Sequence, residues 1–285
     1  MKVSAPVSWS VDVADALHLP LADDAVDLVF TSPPYEDART LGIGYKLQGD
    51  DWVDWAVPRF LECLRVCRGL VAWVVQGRTR NYRWSATPAK LIAILDKAGV
   101  CLRNPAIYRR DGIPGSGGPD WWASKYEWII CATRTRGRLS WSDNTATGKP
   151  PRYDKGGPCS HRRQDGDRVR SDRSTRHYAK PKLANPGNVV DCGAVGGGHL
   201  GSPLSHENEA PFPEALVEPF VRSFCRPGGI VLDPMCGSGT TLAVALKNGR
   251  RAVGYDLRDS QVRITRQRVV EEVLPLLSSR RAEVV

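Results

Sequence analysis

Apolar positions recur with two different periods along this chain, and the switch from one to the other marks its elements. Val7, Trp9, Val11 and Val13 fall on one parity, the pattern of a half-buried strand, and Asp15 follows at once. Val26-Asp27-Leu28-Val29-Phe30 is a denser, β-branched run that predicts a short buried strand. Pro33 and Pro34 have no N–H groups, so that strand must end and turn at Ser32. A polar, glycine-containing stretch without a period runs from Tyr35 to Gly49, a length at which loops tend to be functional or mobile. Asp50 or Asp51 then caps a helix whose Trp52, Val53, Trp55, Ala56, Phe60, Leu61 and Leu64 repeat at near-helical spacing, as a core stripe does.

The alternation continues beyond it. Gly69 to Val75 predicts a buried strand, and Pro88 opens a helix that runs to Lys97 and is stopped by Gly99. Strands are expected around Ala106 to Tyr108 and Trp128 to Cys131, with the glycine- and proline-rich 110–120 between them. From Arg134 to about Asn188 no period survives. An amphipathic helix from Glu214 to Cys225 is stopped by Pro227-Gly228-Gly229, ahead of a strand Ile230 to Asp233, a helix around Leu242 to Leu246 and a strand Ala252 to Asp256. The last helix, Asp259 to about Leu277, offers Val262, Val269, Val270, Val273 and Leu274 to a core and its arginines to water, and reads as structural. Strands alternating with helices predict an α/β fold, a doubly wound, mainly parallel sheet. Its discontinuous domain spans 1–134 and 190–285, and 135–189 is an insert.

Composition narrows the partners. At 285 residues there is room for one α/β domain with an insertion, not for two enzymes. No signal-like segment opens the chain and no run approaches about 18 apolar residues, so a soluble cytoplasmic protein with no membrane partner is expected. The net charge of +9 and a pI near 9.3 point to a polyanion. Between Arg134 and Lys182, 14 Lys and Arg face 5 Asp, an excess equal to that of the whole chain. Scattered Trp141, Tyr153, His161, His177 and Tyr178 make this basic insert a candidate nucleic-acid surface, parts of it ordered only on binding. The eight cysteines form no C-x-x-C pair and read as reduced, buried small side chains. Cys159 and His161 have no partner pair at zinc spacing, so no metal is expected.

Two turns carry candidate chemistry. At Thr31-Ser32-Pro33-Pro34-Tyr35 a small hydroxyl, carbonyls without ladder partners and an aromatic plane come together, which suits a planar group bearing an exocyclic amine; an ordinary strand-ending turn with a packing tyrosine has the same residues. At the second turn, the strand ending in Asp233 enters Pro234-Met235-Cys236-Gly237-Ser238-Gly239-Thr240-Thr241 and a helix, the nucleotide-binding half of a doubly wound sheet. The next strand ends in Asp256, 19 residues beyond Gly237, where an acid is placed to accept ribose hydroxyls.

The pair of motifs, Thr31-Ser-Pro-Pro-Tyr35 and Asp233-Pro-x-Cys-Gly-Ser-Gly-Thr-Thr241, resembles the catalytic and cofactor motifs of the amino-group DNA methyltransferases. Their order is that of the permuted β class, and the resemblance covers most of the chain outside about 135–190. It implies S-adenosyl-L-methionine as cofactor, double-stranded DNA as partner, and direct methyl transfer to a base flipped out of the duplex. Ser32, Pro33, Pro34 and Tyr35 become the catalytic group. Thr31, Asp233, Pro234, Cys236, Gly237, Ser238, Gly239, Thr240 and Asp256 would hold the cofactor, with Asp15 at its adenine. The insert becomes the target-recognition region, with Arg152, Arg162, Arg163, Arg168, Arg170, Arg173 and Arg176 on DNA. Ser32, where adenine-specific members mostly carry Asp, implies N4 of cytosine, with N6 of adenine as the alternative. A cognate restriction endonuclease and a homodimer are further partners the resemblance allows. Rival readings fit less well. Pro158-Cys159 resembles the nucleophile dipeptide of carbon-5 cytosine methyltransferases, but it sits in the aperiodic insert. Protein-glutamine methyltransferases carry Asn before Pro-Pro-Tyr and the opposite motif order. A DNA-binding protein without catalysis would not need Asp233, Gly237, Gly239 and Asp256 intact.

Overall fold

The computed structural model describes residues 8–37, 46–110, 117–151, 159–171, 181–192, 202–207 and 211–282. The stretch expected to loop from Tyr35 to Gly49 therefore lies partly outside the described residues, as does much of 110–120. The chain divides into two compact units, Met1–Asp143 with Asn188–Val285, and Asn144–Gly187. In chain order the elements are β1 (Trp9–Val13), β2 (Val26–Thr31), α1 (Gly49–Val66), β3 (Cys67–Val75), β4 (Thr79–Arg80), β5 (Arg83–Trp84), α2 (Thr87–Lys97), β6 (Cys101–Leu102), β7 (Ala106–Arg109) and β8 (Tyr126–Thr133). They continue with β9 (Cys159–Arg162), β10 (Arg168–Ser171), β11 (Val189–Asp191), α3 (Glu214–Phe224), β12 (Ile230–Asp233), α4 (Thr240–Lys247), β13 (Arg251–Asp256), α5 (Asp259–Arg268) and α6 (Leu274–Ala282).

The main sheet of the first unit runs in the order β1-β13-β12-β2-β3-β8-β7-β11, with β6 on β8, and β4 and β5 form a separate two-stranded pair. The five strands from β1 to β3 are parallel, and β2 is buried at all six positions, as expected of a strand covered on both faces. Side chains alternate: Leu28, Phe30, Leu70, Ala72 and Val74 meet α3, α4 and α5, whereas Val29, Val71, Trp73 and Val75 meet α1 and α2. The sheet is thus mixed but mainly parallel, between two helical layers. Asp27 ties the amino ends of three strands together, since its carboxylate accepts the Ile230 N–H at 2.8 Å and pairs with Arg68 at 2.9 Å.

Four expectations change. Asp50 and Asp51 lie inside the first turn of α1, and Gln48 stands at its cap without a side-chain cap hydrogen bond. Strict alternation fails at β7 and β8, which pair antiparallel; antiparallel neighbours need no crossover helix. Leu61 in α1 is exposed. After α5 one turn, Val269–Val273, is π-helical, and its extra residue rotates Val270 out to solvent while Val269 and Val273 stay buried. Among the described residues no helix is long and apolar enough to cross a membrane.

In the second unit β9 and β10 form an antiparallel pair, Arg162 opposite Arg168 and Ser160 opposite Arg170, where the sequence shows no period. The base of this unit is closed by backbone: the Ala184 N–H donates to the Lys149 carbonyl at 2.9 Å, and a Cβ on Gly148 would fall 1.9 Å from the Ala184 oxygen.

Candidate active site

Adjacent parallel strands end side by side, so their last residues form a row. In the order β1, β13, β12, β2 the carboxyl ends carry Asp15, Asp256, Asp233 and Thr31-Ser32, four candidates far apart in sequence. This is the edge of an open α/β sheet at which ligands bind. Thr31 Oγ1 donates to Asp233 Oδ1 at 2.6 Å and ties the two motif turns together. Burial pushes the Asp233 carboxyl up to about 6, against the hydrogen bonds of Thr31, Thr241 and the Met235 N–H.

The glycine-rich turn is folded by its own sequence. Gly237 and Gly239 have φ of +51° and +77°, and a Cβ on Gly239 would meet the Thr265 side chain at 2.7 Å. Asp256 Oδ2 accepts the Gly237 N–H at 3.0 Å, and its Oδ1 accepts the Arg258 N–H at 2.9 Å. Ser238, Thr240 and Cys236 are buried, and Pro234 lies in the same turn. Burial drives the Cys236 thiol well above its ordinary range, which disfavours the nucleophilic thiolate. Asp15 pairs with Arg59 at 3.0 Å and accepts the Leu17 N–H at 2.9 Å.

Two side chains from the last helix hold this turn, although the sequence reads that helix as packing with solvated arginines. Thr265 Oγ1 donates to the Gly237 carbonyl at 2.7 Å. Arg268 is fully buried and donates to the Ser238 carbonyl at 3.1 Å, to Thr240 Oγ1 at 3.0 Å and to Glu214 at 2.9 Å. A buried guanidinium needs such acceptors, and the glycine turn supplies them.

At the Pro-Pro turn the Pro34 carbonyl accepts the Trp52 indole N–H at 2.9 Å. Ser32 Oγ lies 3.3 Å from both the Val74 carbonyl and the Tyr35 hydroxyl. Tyr35 donates to Glu127 Oε2 at 2.6 Å, and Arg110 pairs with the other oxygen at 2.7 Å. Burial, then the Glu127 charge, raises the Tyr35 hydroxyl well above the usual phenol range; burial also raises Glu127, opposed by Arg110 and Tyr35. Glu127 and Arg110 are missed in sequence because they come from β8 and from just after β7, 92 and 75 residues beyond Tyr35. An acid inside the apolar run of β8 is the signal that marks them.

Of the arginines assigned to DNA, Arg162, Arg168 and Arg170 lie on β9 and β10, and Arg163 is exposed in their connection. Arg152, Arg173 and Arg176 lie outside the described residues. Among the described residues no group of acids, histidines and cysteines could hold a metal ion.

The fold is that of S-adenosyl-L-methionine-dependent DNA methyltransferases. It overlays on the PvuII DNA methyltransferase (cytosine-N4-specific) with a TM-score of 0.66 at 18% identity, covering 93% of this chain and 87% of that one. Residues 26–267 match the N6_N4_Mtase family of DNA methylases, and the chain belongs to that family. Curated relatives include the orphan methyltransferase M.BamHII of Bacillus amyloliquefaciens, 27% identical over 265 residues, 89% of this chain and 92% of the relative. The DNA adenine methyltransferase YhdJ of Escherichia coli (strain K12) is 23% identical over 248 residues, 86% of this chain and 76% of its own. The protein is thus a DNA methyltransferase that uses S-adenosyl-L-methionine.

Proposed function

We propose that this enzyme methylates the N4 amine of cytosine in double-stranded DNA, with N6 of adenine as the alternative, on a base turned out of the duplex. The observation that carries the reading is the Thr31–Asp233 hydrogen bond between β2 and β12, which sets the Pro-Pro turn beside the glycine-rich turn. The motif order along the chain supports the permuted β class. The donor's cradle fits the residues present: two glycines at positive φ, a buried acid at Asp233, and Asp256 on the neighbouring strand.

When bound, S-adenosyl-L-methionine supplies a methyl group on a positively charged sulfur. The chain's part is positioning. Ser32 Oγ and the Pro33 carbonyl accept the hydrogens of the amine and turn its lone pair toward the cofactor turn. The Tyr35 ring stacks on the base, held in plane by Glu127 through its hydroxyl. Extruding the base costs roughly a few kcal/mol, which such stacking offsets. No thiol or hydroxyl of the site needs to bond to the base. The unit 144–187, with Arg162, Arg163, Arg168 and Arg170, is read as the target-recognition region.

The cytosine reading rests on the resemblance, since adenine-acting members mostly carry Asp where this chain has Ser32; the weaker acceptor strength of a neutral hydroxyl is only part of the reason, because either amine fits the turn. The relatives include both chemistries. Mass spectrometry of nucleosides from DNA incubated with enzyme and cofactor decides between them. N4-methylcytosine is the expected product; N6-methyladenine alone would transfer the reading to adenine, and neither product would sink it.

A further inference from the structure

The exposed aromatic side chains of the described residues are gathered in one place. Tyr82, Trp84, Trp122 and Tyr126 are the large aromatics most open to solvent, and all four lie on two adjoining segments, 76–86 and 117–126. Gln76 Nε2 joins the segments, donating to Ser124 Oγ and to the Tyr126 carbonyl, each at 2.7 Å. Tyr82 meets Trp121 edge to face with centroids 5.5 Å apart. Even so, Tyr82 remains 74% exposed, and Trp122 is 97% exposed.

The backbone presents Tyr82 deliberately. β4 and β5 pair across a two-residue connection in which Asn81 and Tyr82 have φ of +46° and +60°, as a type I′ turn requires. Glycine relieves the strain at such positions, and a bulky ring does not. A residue held there with its ring in solvent fits a binding role better than a packing one. The hairpin segment also carries charge: Arg78, Arg80 and Arg83 are exposed, with Arg83 between Tyr82 and Trp84. They are anchored to the chain leaving the catalytic turn. Arg78 pairs with Asp37 at 3.5 Å, Arg80 pairs with the same acid, and the Thr87 hydroxyl donates to buried Glu36 at 3.0 Å. Between the hairpin and that chain lies a cavity of about 290 Å³.

We infer that segments 76–86 and 117–126 form a second nucleic-acid surface, in the catalytic unit itself, on which bases unstacked from DNA lie against Tyr82 and Trp122 while Arg83 meets backbone phosphate. The inference rests on the DNA-methylation reading and adds to it a contact outside the 144–187 unit. Aromatic faces interleaved with arginine suit this partner, since every base has a face to stack and every nucleotide a charge to meet.

The test uses the full chain and a fluorescein-labelled oligothymidylate of about 20 nucleotides, whose bases are already unstacked, with affinity read by anisotropy. Tyr82→Ala and Trp122→Ala should each weaken binding by about 5- to 150-fold at unchanged salt slope, and Arg83→Gln should flatten the slope by about 0.7. Calorimetric binding of S-adenosyl-L-methionine should stay at the wild-type value in all three, which shows that they fold. A Tyr82→Ala/Trp122→Ala double variant that binds the oligonucleotide like wild type overturns the inference. So does a dimer in sedimentation equilibrium that Trp122→Ala abolishes while oligonucleotide affinity holds, which would give the surface to a second copy of the chain. Wild-type chain that labels no DNA with methyl groups would instead defeat the methylation reading on which all this rests.

Discussion

Tyr35 has two ends with different work. Its ring keeps partial exposure at the turn, whereas its hydroxyl is committed to Glu127 at 2.6 Å. In sequence only the ring is visible as useful, which makes phenylalanine look like a near-neutral replacement. The buried carboxylate revises that. Tyr35→Phe removes a hydrogen bond to a charged group worth about 1.5–3 kcal/mol and leaves Glu127 with Arg110 alone. We expect kcat/KM on DNA to fall by roughly 10- to 100-fold with cofactor affinity unchanged; steady-state kinetics indistinguishable from wild type would return Tyr35 to a ring-only role. Asp233 invites a different test. Its folded pKa of about 6 lies above the ordinary 3.8, so the native state holds this proton more tightly than the unfolded chain does. The stability that proton contributes is complete below about pH 4, is lost as pH rises to about 6, and is absent at pH 7, a loss of at most roughly 3 kcal/mol. Asp233→Asn should therefore keep or raise Tm at pH 7 while weakening cofactor binding. Wild-type affinity should weaken as pH falls below about 6, and calorimetry showing pH-independent affinity between 5 and 7.5 would remove the Asp233 charge from the donor site.

At the scale of elements, the strands and their turns are legible in sequence because apolar density and proline or glycine punctuation act locally. The work of α5 is not. Gln261, Thr265 and Arg268 share one helical face by spacings of four and three, and all three are buried, but polar side chains add nothing to an apolar stripe. Thr265 and Arg268 meet the glycine-rich turn opposite, 28 residues away between Gly237 and Thr265. Two substitutions examine that interface. Gly239→Ala meets a left-handed backbone and Thr265 at 2.7 Å together, and should cost about 1–3 kcal/mol in denaturant unfolding with weakened cofactor binding. Arg268→Met removes the donors to the Ser238 carbonyl, Thr240 and Glu214, and a loss of about 3 kcal/mol is expected. Because Glu214 keeps Lys247 at 2.7 Å, the loss should not be larger. An Arg268→Met protein as stable as wild type would show that the buried cation holds nothing together.

Across the whole molecule, charge and chemistry are separated along the chain. The row of Asp15, Asp256, Asp233 and Ser32 at the strand ends is built by strand order, which sequence offers only as a possibility of the fold and the pairing of β2 with β12 fixes. The basic excess, by contrast, is plain in sequence: 14 Lys and Arg against 5 Asp between Arg134 and Lys182, with the remainder near neutral. Its shape was hidden there, because the β9–β10 pair carries no alternation of apolar residues that would announce strands. Four arginines sit on or between those strands, Arg162, Arg163, Arg168 and Arg170. If the insert neutralises on the order of 6 phosphates, log K for duplex DNA should fall against log salt with a slope near −5. Replacing the four by glutamine should flatten that slope by about 3 to 4, while the cofactor still binds and the protein still melts cooperatively. A four-fold variant with the wild-type slope would move the main phosphate contacts off this unit and onto the catalytic one, where Arg78, Arg80 and Arg83 are the next cations to replace.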